Sequence, residues 1–330
     1  MSDEPFSRPV SDAAQDDVVI PFAVTPLDVR GRLVRLGPAL DVLLGNHSYP
    51  PEVSRAVGEA SALTALLGSA LKFEGRFQLQ TRSDGVIDMM VVDFDAPDKL
   101  RAFARFDMER LQAARDAGAA KVADLLGHGH LAFTIDPGGD MSRYQGVVAL
   151  EGQGLEAAAD EYFLRSEQIP TLVRLAVGEV LGGEVARWRA GGLIVQFLPD
   201  SPERRRQADL PPGDAPEGAA ADDGFQEDDA WNEAQALAGT VEDHELVDPA
   251  LASERLLYRL FHERGVTVFD ATRLRHQCRC TTEGVETMLR RFSPEERGDM
   301  IGDDGMIGVT CEFCGVKRVF APADLEGDAP

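Results

Sequence analysis

Apolar residues along this chain recur in two rhythms, one of every second position and one of every third or fourth. Leu27 to Arg35 reads as a short strand. Pro50 and Pro51 then precede a long helical pattern, in which Val53, Val57, Ala60, Leu63, Leu67, Ala70 and Leu71 form one apolar stripe. The period next drops to two. Phe73, Gly75, Phe77, Leu79 and Thr81 face one way, and Glu74, Arg76, Gln78, Gln80 and Arg82 face the other, as in a half-buried strand. Ser83-Asp84-Gly85 is a turn, and Val86 to Phe94 is a more apolar return strand. A second hairpin follows. Leu131, Phe133 and Ile135 alternate, Pro137-Gly138-Gly139-Asp140 turns, and Tyr144 to Leu150 returns. Leu155, Ala158, Ala159, Tyr162 and Phe163 mark an amphipathic helix, and Thr171 to Val177 and Leu193 to Leu198 are further strands. Strand hairpins interleaved with helices predict an α+β fold whose sheet is largely antiparallel.

The rhythm stops near residue 199. Residues 199–248 hold 15 acidic and 3 basic side chains, and Pro211-Pro212-Gly213 and the run 218–224 break any regular pattern. Such a stretch buries too little apolar surface to offset its ordering entropy, so it reads as a flexible insertion. A helix resumes near Asp229 with Trp231. Another is expected to start at Asp248-Pro249, where Asp can cap and Pro fits the first turn. Its Leu256, Leu257, Leu260 and Phe261 lie on one face. Gly265 ends it, and Val266 to Phe269 is a short strand leading into the cysteine region. The chain divides accordingly into an acidic, disordered arm (1–17), an N-terminal mixed domain (18–198), an acidic insertion with a helical linker (199–265) and a small C-terminal unit (266–330). No internal repeat is apparent.

Composition narrows the function. Of 330 residues, 44% are apolar, as in ordinary globular proteins, but the formal net charge is −24. That balance disfavours nucleic acid, whose phosphates need Lys and Arg, and it favours solubility. No run approaches ~18 consecutive apolar residues, so no membrane span is expected. The acidic start lacks the features of a secretory signal, which points to the cytoplasm, where thiols are kept reduced.

The cysteines change the picture most. There are four, Cys278, Cys280, Cys311 and Cys314, all within the last 53 residues. The pattern is Cys-x-Cys, 30 intervening residues, then Cys-x-x-Cys. Two close pairs brought together make a four-thiolate shell, which suits one tetrahedral Zn²⁺. Cys311-Glu312-Phe313-Cys314-Gly315 resembles a zinc knuckle, with glycine letting the backbone turn under the metal. Arg275, Arg279, Lys317 and Arg318 would partly offset the roughly −2 charge of such a centre. Each pair is also close enough in sequence to form its own disulfide. On the cysteines alone, a static zinc ribbon, a redox switch and a thiol–disulfide oxidoreductase all stay open.

Other candidates read as bland. His276 is a conceivable ligand, but with four thiols at hand it reads as a surface histidine. His128 and His130 sit at a strand entry. Asp88, Asp93 and Asp95 could suggest a hard-metal site, but they read as carboxylates on the solvent face of a strand. There is no G-x-x-x-x-G-K-[ST] loop and no G-x-S-x-G elbow, which fits a protein that is not an enzyme and works without ATP.

A resemblance joins the two ends of the chain. LLYRLFHERGVTVFD (256–270), HQCRC (276–280), SPEER (293–297) and IGVTCEFCG (307–315) look like the linker end and switch domain of the Hsp33 family. VRGRLVRL (29–36), YPP (49–51), LKFEGRFQLQ (71–80), RYQGVVALEG (143–152) and YFLRSEQIPT (162–171) resemble that family's core domain. The similarity covers nearly everything except residues 1–17 and about 200–228. It implies a redox-regulated holdase chaperone. Cys278, Cys280, Cys311 and Cys314 would bind one Zn²⁺ per reduced, inactive chain. Oxidation would form disulfides, release the metal, unfold the switch domain and loosen the linker. Unfolding client proteins would be its partners, together with a second copy of the chain when oxidised. Leu256, Leu257, Leu260 and Phe261 would then be the latch and client surface. The long acidic insertion is the departure from the family pattern.

Overall fold

The structure, a computed structural model, describes residues 16–72, 74–139, 141–182, 185–198 and 228–325. Most of the predicted arm (1–15) and of the acidic insertion (199–227) lies outside the described residues. The chain opens with a hairpin of β1 (Val18–Val24) and β2 (Val29–Leu36), then helices α1 (Pro38–Gly45) and α2 (Pro51–Gly68). A meander of β3 (Arg76–Ser83), β4 (Ile87–Asp95) and β5 (Lys99–Phe106) follows, then α3 (Met108–Asp116) and α4 (Val122–Leu126). The hairpin β6 (His128–Asp136) and β7 (Tyr144–Glu151) leads to α5 (Leu155–Tyr162), a π-helical turn (Phe163–Glu167) and the long hairpin β8 (Thr171–Gly182) and β9 (Val185–Phe197). After the acidic stretch come α6 (Asp229–Gly239), α7 (Asp243–Val247) and α8 (Ser253–Phe261), then β10 (Thr267–Val268), β11 (Thr272–Arg273) and β12 (Arg275–His276). The chain closes with α9 (Thr282–Leu289), α10 (Pro294–Asp299) and the hairpin β13 (Ile307–Thr310) and β14 (Lys317–Phe320).

Two six-stranded sheets organise these elements. The first runs β10-β1-β2-β9-β8, with β11 also on β1, and the second runs β12-β5-β4-β3-β6-β7. Their pairings are antiparallel except β12 on β5. The fold is therefore the α+β class that the alternation predicts. Helix α2 lies between the sheets. It was expected to show one apolar stripe, yet Ser54, Gly58, Ser61 and Thr64 are buried as well as Val53, Val57 and Leu63. A helix covered by sheets on two sides has little polar face left. Small residues make this possible: a Cβ on Gly58 would come 2.9 Å from Val177, and one on Gly68 would come 2.6 Å from Phe94.

A second apolar core lies on the other face of the first sheet. Ile20, Phe22, Leu33, Leu193 and Val195 pack there against Trp231 of α6 and the stripe of α8. The C-terminal unit has only a small cluster of its own, Leu289, Ile307, Phe320 and Leu325.

Several boundaries differ from the sequence reading. Asp16 and Asp17, assigned to the arm, are tied into the fold. Asp17 accepts hydrogen bonds from the backbone N–H groups of Gly37 (2.9 Å) and Ala39 (3.0 Å), and Asp16 pairs with Arg189. Helix α8 starts at Ser253 rather than at Asp248-Pro249. The Asp248 carboxylate accepts from the Ala250 N–H at 2.8 Å, and its carbonyl accepts from Arg35, so it closes a turn before the helix. Strands β10 to β12, assigned to the C-terminal unit, are not confined to it. They extend the two sheets of the body.

Candidate metal and redox centre

Cys278 and Cys280 follow β12, which is pinned to the edge of β5 by Arg275↔Lys99 and His276↔Leu100 and by the Gln277 N–H on the Leu100 carbonyl (3.0 Å). Cys311 and Cys314 sit in the turn between β13 and β14, closed by Cys311 N to Val316 O (3.1 Å) and Gly315 N to Cys311 O (2.8 Å). Gly315 has φ +66, and a Cβ there would lie 2.7 Å from the Asn46 carbonyl. The knuckle glycine is thus needed both for its turn and because the turn rests on the end of α1.

The fold brings all four thiols together, with Sγ atoms within 4.8 Å of one another. The Cys278 and Cys311 sulfurs are 3.8 Å apart, and those of Cys280 and Cys314 3.3 Å. The donor set fits a tetrahedral, thiophilic ion such as Zn²⁺. The thiols are unequal. Burial pushes Cys278 up, but hydrogen bonds from Cys280, Arg101 and Cys311 outweigh it and draw Cys278 below its ordinary value. Burial pushes Cys314 up to about 12.

The cationic neighbours are only partly those expected. Arg318 donates to the Cys280 carbonyl at 2.9 Å. Arg275 turns to Asp98 at 3.0 Å. Arg101, which the sequence reading missed, also reaches the cluster, its guanidinium 4.0 Å from the Cys278 Sγ. Arg101 lies on β5, whose alternation KLRAFARF was the available signal.

Arg279, between the first two cysteines, reaches away from the thiols to Asp93 (3.0 Å) and Asp95 (3.1 Å) on β4. Asp93 was expected on a solvent face. It is fully buried, and Arg101 (2.5 Å) and Gln78 (2.8 Å) also hold it. The face that looked solvated is the one the cysteine unit covers. Phe313, inside the knuckle, completes the contact. Arg101 stacks 3.9 Å above its ring, Phe103 lies 6.1 Å from it, and its carbonyl accepts from His47 Nε2 at 3.3 Å.

His276 is half-buried in β12 rather than at the surface, its Nε2 has no hydrogen-bond partner, and it is outside the thiol cluster. His128 and His130 are exposed at the start of β6, as expected.

Leu256, Leu257, Leu260 and Phe261 are not at the thiols. They are buried on α8 against the first sheet, with Phe261 5.6 Å from the Phe22 ring. Phe22 in turn pairs with Val268 of β10. Two further arginines hold the linker: Arg35 donates to the carbonyls of Glu245 (2.8 Å) and Asp248 (2.5 Å), and Arg189 donates to that of Val247 (2.8 Å). No helix among the described residues is long and apolar enough to cross a membrane.

Comparison with known proteins agrees with this architecture. The family described as "Hsp33 protein" matches residues 17–321. The chain is 43% identical over 300 residues to the 33 kDa chaperonin of Caulobacter vibrioides (strain NA1000 / CB15N), spanning 91% of this chain and 93% of that one. It is 32% identical over 312 residues to the 33 kDa chaperonin of Enterobacter sp. (strain 638), with 94% of each covered. Its fold is similar to the crystal structure of the 33 kDa chaperonin from Thermotoga maritima, with a TM-score of 0.72 at 19% identity, over 94% of this chain and 97% of that one. A match over nearly the whole length, with the four-thiol centre and both sheets in place, means that the chain belongs to the Hsp33 family of chaperones.

Proposed function

We propose that the chain is an ATP-independent holdase for unfolding client proteins, inactive when reduced and switched on by oxidation of Cys278, Cys280, Cys311 and Cys314. Clustering of the four thiols on a unit with a thin core carries this reading. Bound Zn²⁺ would hold the four thiolates together and supply the stability that such a core lacks. Peroxide takes two electrons from each pair. One thiolate becomes a sulfenic acid as hydroxide leaves, and the second thiolate displaces another hydroxide to close the disulfide. A disulfide sulfur is a poor ligand, so the staple is lost.

Residues 266–330 act as the switch and 228–265 as the linker. Unfolding of the switch withdraws Arg279 from Asp93 and Phe313 from Arg101, and it frees β12 from β5 and then β10 from β1. With β10 gone from the edge beside Phe22, helix α8 loosens from the sheet and exposes Leu256, Leu257, Leu260 and Phe261 to clients or to a second copy of the chain. The cytoplasm is the compartment where resting thiols would stay reduced. Sequence similarity to chaperonins and the absence of a nucleotide loop support binding rather than catalysis.

The test is suppression of a heat-unfolded client's aggregation by reduced and by peroxide-treated protein, with zinc release followed in parallel. Activity should appear with zinc release and vanish on reduction. Equal suppression by both forms would leave a static zinc ribbon, and turnover of a disulfide substrate would indicate an oxidoreductase.

A further inference from the structure

The space between the two sheets is not filled at the C-terminal end of α2, where a cavity of about 280 Å³ remains. Its walls are mostly apolar. Phe77 and Phe133 stack at 5.7 Å, and Tyr162 meets Phe133 edge-on at 4.9 Å. Leu66 and Leu71 close the α2 side.

The few polar groups are placed on opposite walls. Arg32 of β2 sits opposite Ile194 of β9, a residue of the main core, so both face the space between the sheets. Among the described residues no carboxylate pairs with Arg32, and its Nε is shielded from solvent without a hydrogen-bond partner. Gln196 lines the same wall, two residues along β9 from Ile194. On the far wall the Glu167 carboxylate is already occupied: the hydroxyls of Tyr144 and Tyr162 donate to it at 2.8 and 2.6 Å. Glu167 ends the π-helical turn, and Gln168 after it takes φ 57, a left-handed conformation uncommon outside glycine. Both features gather at functional sites.

A half-buried cation without a carboxylate partner, on the wall of a partly open apolar cleft, is costly, and an anion with an apolar body would offset that cost. We propose that this cavity binds a small apolar monocarboxylate of the medium-chain fatty acid type, its carboxylate on Arg32 and Gln196 and its chain against Phe77, Phe133 and Leu66. At interior packing density the space takes roughly ten heavy atoms. A second carboxylate at the far end would meet Glu167, so diacids are excluded. The site is separate from both the cysteines and α8, and it does not depend on the redox switch.

Octanoate is the probe, titrated by equilibrium dialysis against the full-length, reduced, zinc-loaded protein. Saturable binding at one site is expected, with octanol and octanedioate each at least about tenfold weaker, since a charged hydrogen bond is lost or a like charge is met. Arg32→Gln should bring octanoate down to the affinity of octanol, and Ala70→Phe, which fills the cavity, should remove binding of both. Absence of saturation, equal binding of octanoate and octanol, or octanoate binding that survives Ala70→Phe would overturn the proposal. Should Arg32→Gln fail to fold, the comparison of octanoate with octanol on the unaltered protein decides.

Discussion

Arg279→Ala should loosen the switch unit without touching a thiol. Arg279 makes two charged contacts, to Asp93 at 3.0 Å and Asp95 at 3.1 Å, and its side chain is 34% exposed. A hydrogen bond involving a charged group is worth about 1.5–3 kcal/mol when shielded, and exposure reduces it. Orphaning a buried charge costs about 3–5 kcal/mol, but Asp93 keeps Arg101 and Gln78 and is not orphaned. The net loss is therefore about 1–2 kcal/mol, a factor of roughly 5–30 in the docking equilibrium. Amide exchange across residues 278–320 of the reduced, zinc-loaded variant should accelerate by that factor, and half-activation should need less peroxide. Zinc should remain at one equivalent per chain. Arg279→Lys, which reaches one carboxylate at a time, should lie between. Unchanged exchange and an unchanged peroxide threshold in Arg279→Ala would mean that the Asp93 contact does not hold the switch.

Leu257→Ser with Phe261→Ser removes two fully buried side chains from α8, each worth about 2–5 kcal/mol, and should partly activate the reduced protein with zinc bound; a protease-resistant linker and no activity would oppose this. Reduced protein should contain one Zn²⁺ with four-sulfur coordination by X-ray absorption, and a nitrogen ligand from His276 would contradict it. Oxidised protein should carry Cys278–Cys280 and Cys311–Cys314 links. Cross-pairs such as Cys280–Cys314 are close in the folded cluster, at 3.3 Å, but need the fold to survive metal loss; peptide mapping decides. Glu59 on α2 is raised from 4.5 to about 8 by burial and by the carboxylates of Glu156 and Asp243. The folded protein thus holds this proton more tightly than the unfolded chain. That stability is fully present below about pH 4.5 and is lost as pH rises through about 8. Glu59→Gln should raise the melting temperature at pH 8.5 and change it little at pH 5; an equal shift at both would exclude the linkage.

The parts of the fold legible in the sequence are those whose partners are local. The hairpins β3–β4 and β6–β7 and the stripe of α8 announce themselves through alternation, turn residues and spacing, because their strands are neighbours in sequence and the apolar residues of α8 share one face. The four thiols were legible because no other cysteine competes with them. What was missed depends on distant partners. β1 is apolar throughout, since helices cover both faces of its sheet, and carries Pro21, so no alternation marks it. β5 alternates as well, but KLRAFARF received no strand reading, and nothing in it signals what covers its polar row. Asp93 was misread for the same reason: Arg101 is 8 residues away, but Arg279 is 186 away. A polar row on a strand reads the same whether water or an arginine from another unit covers it.

The central claim is that oxidation of the thiols releases α8. Amide hydrogen exchange over residues 253–261 tests it directly, in the reduced zinc-loaded protein and after peroxide. In the reduced state the helix, whose Leu256, Leu257, Leu260 and Phe261 are at most 3% exposed, should be strongly protected. After oxidation its protection should fall by about a hundredfold or more, in step with zinc release and the onset of client holding. An oxidised protein that holds clients while α8 keeps its full protection would contradict the account.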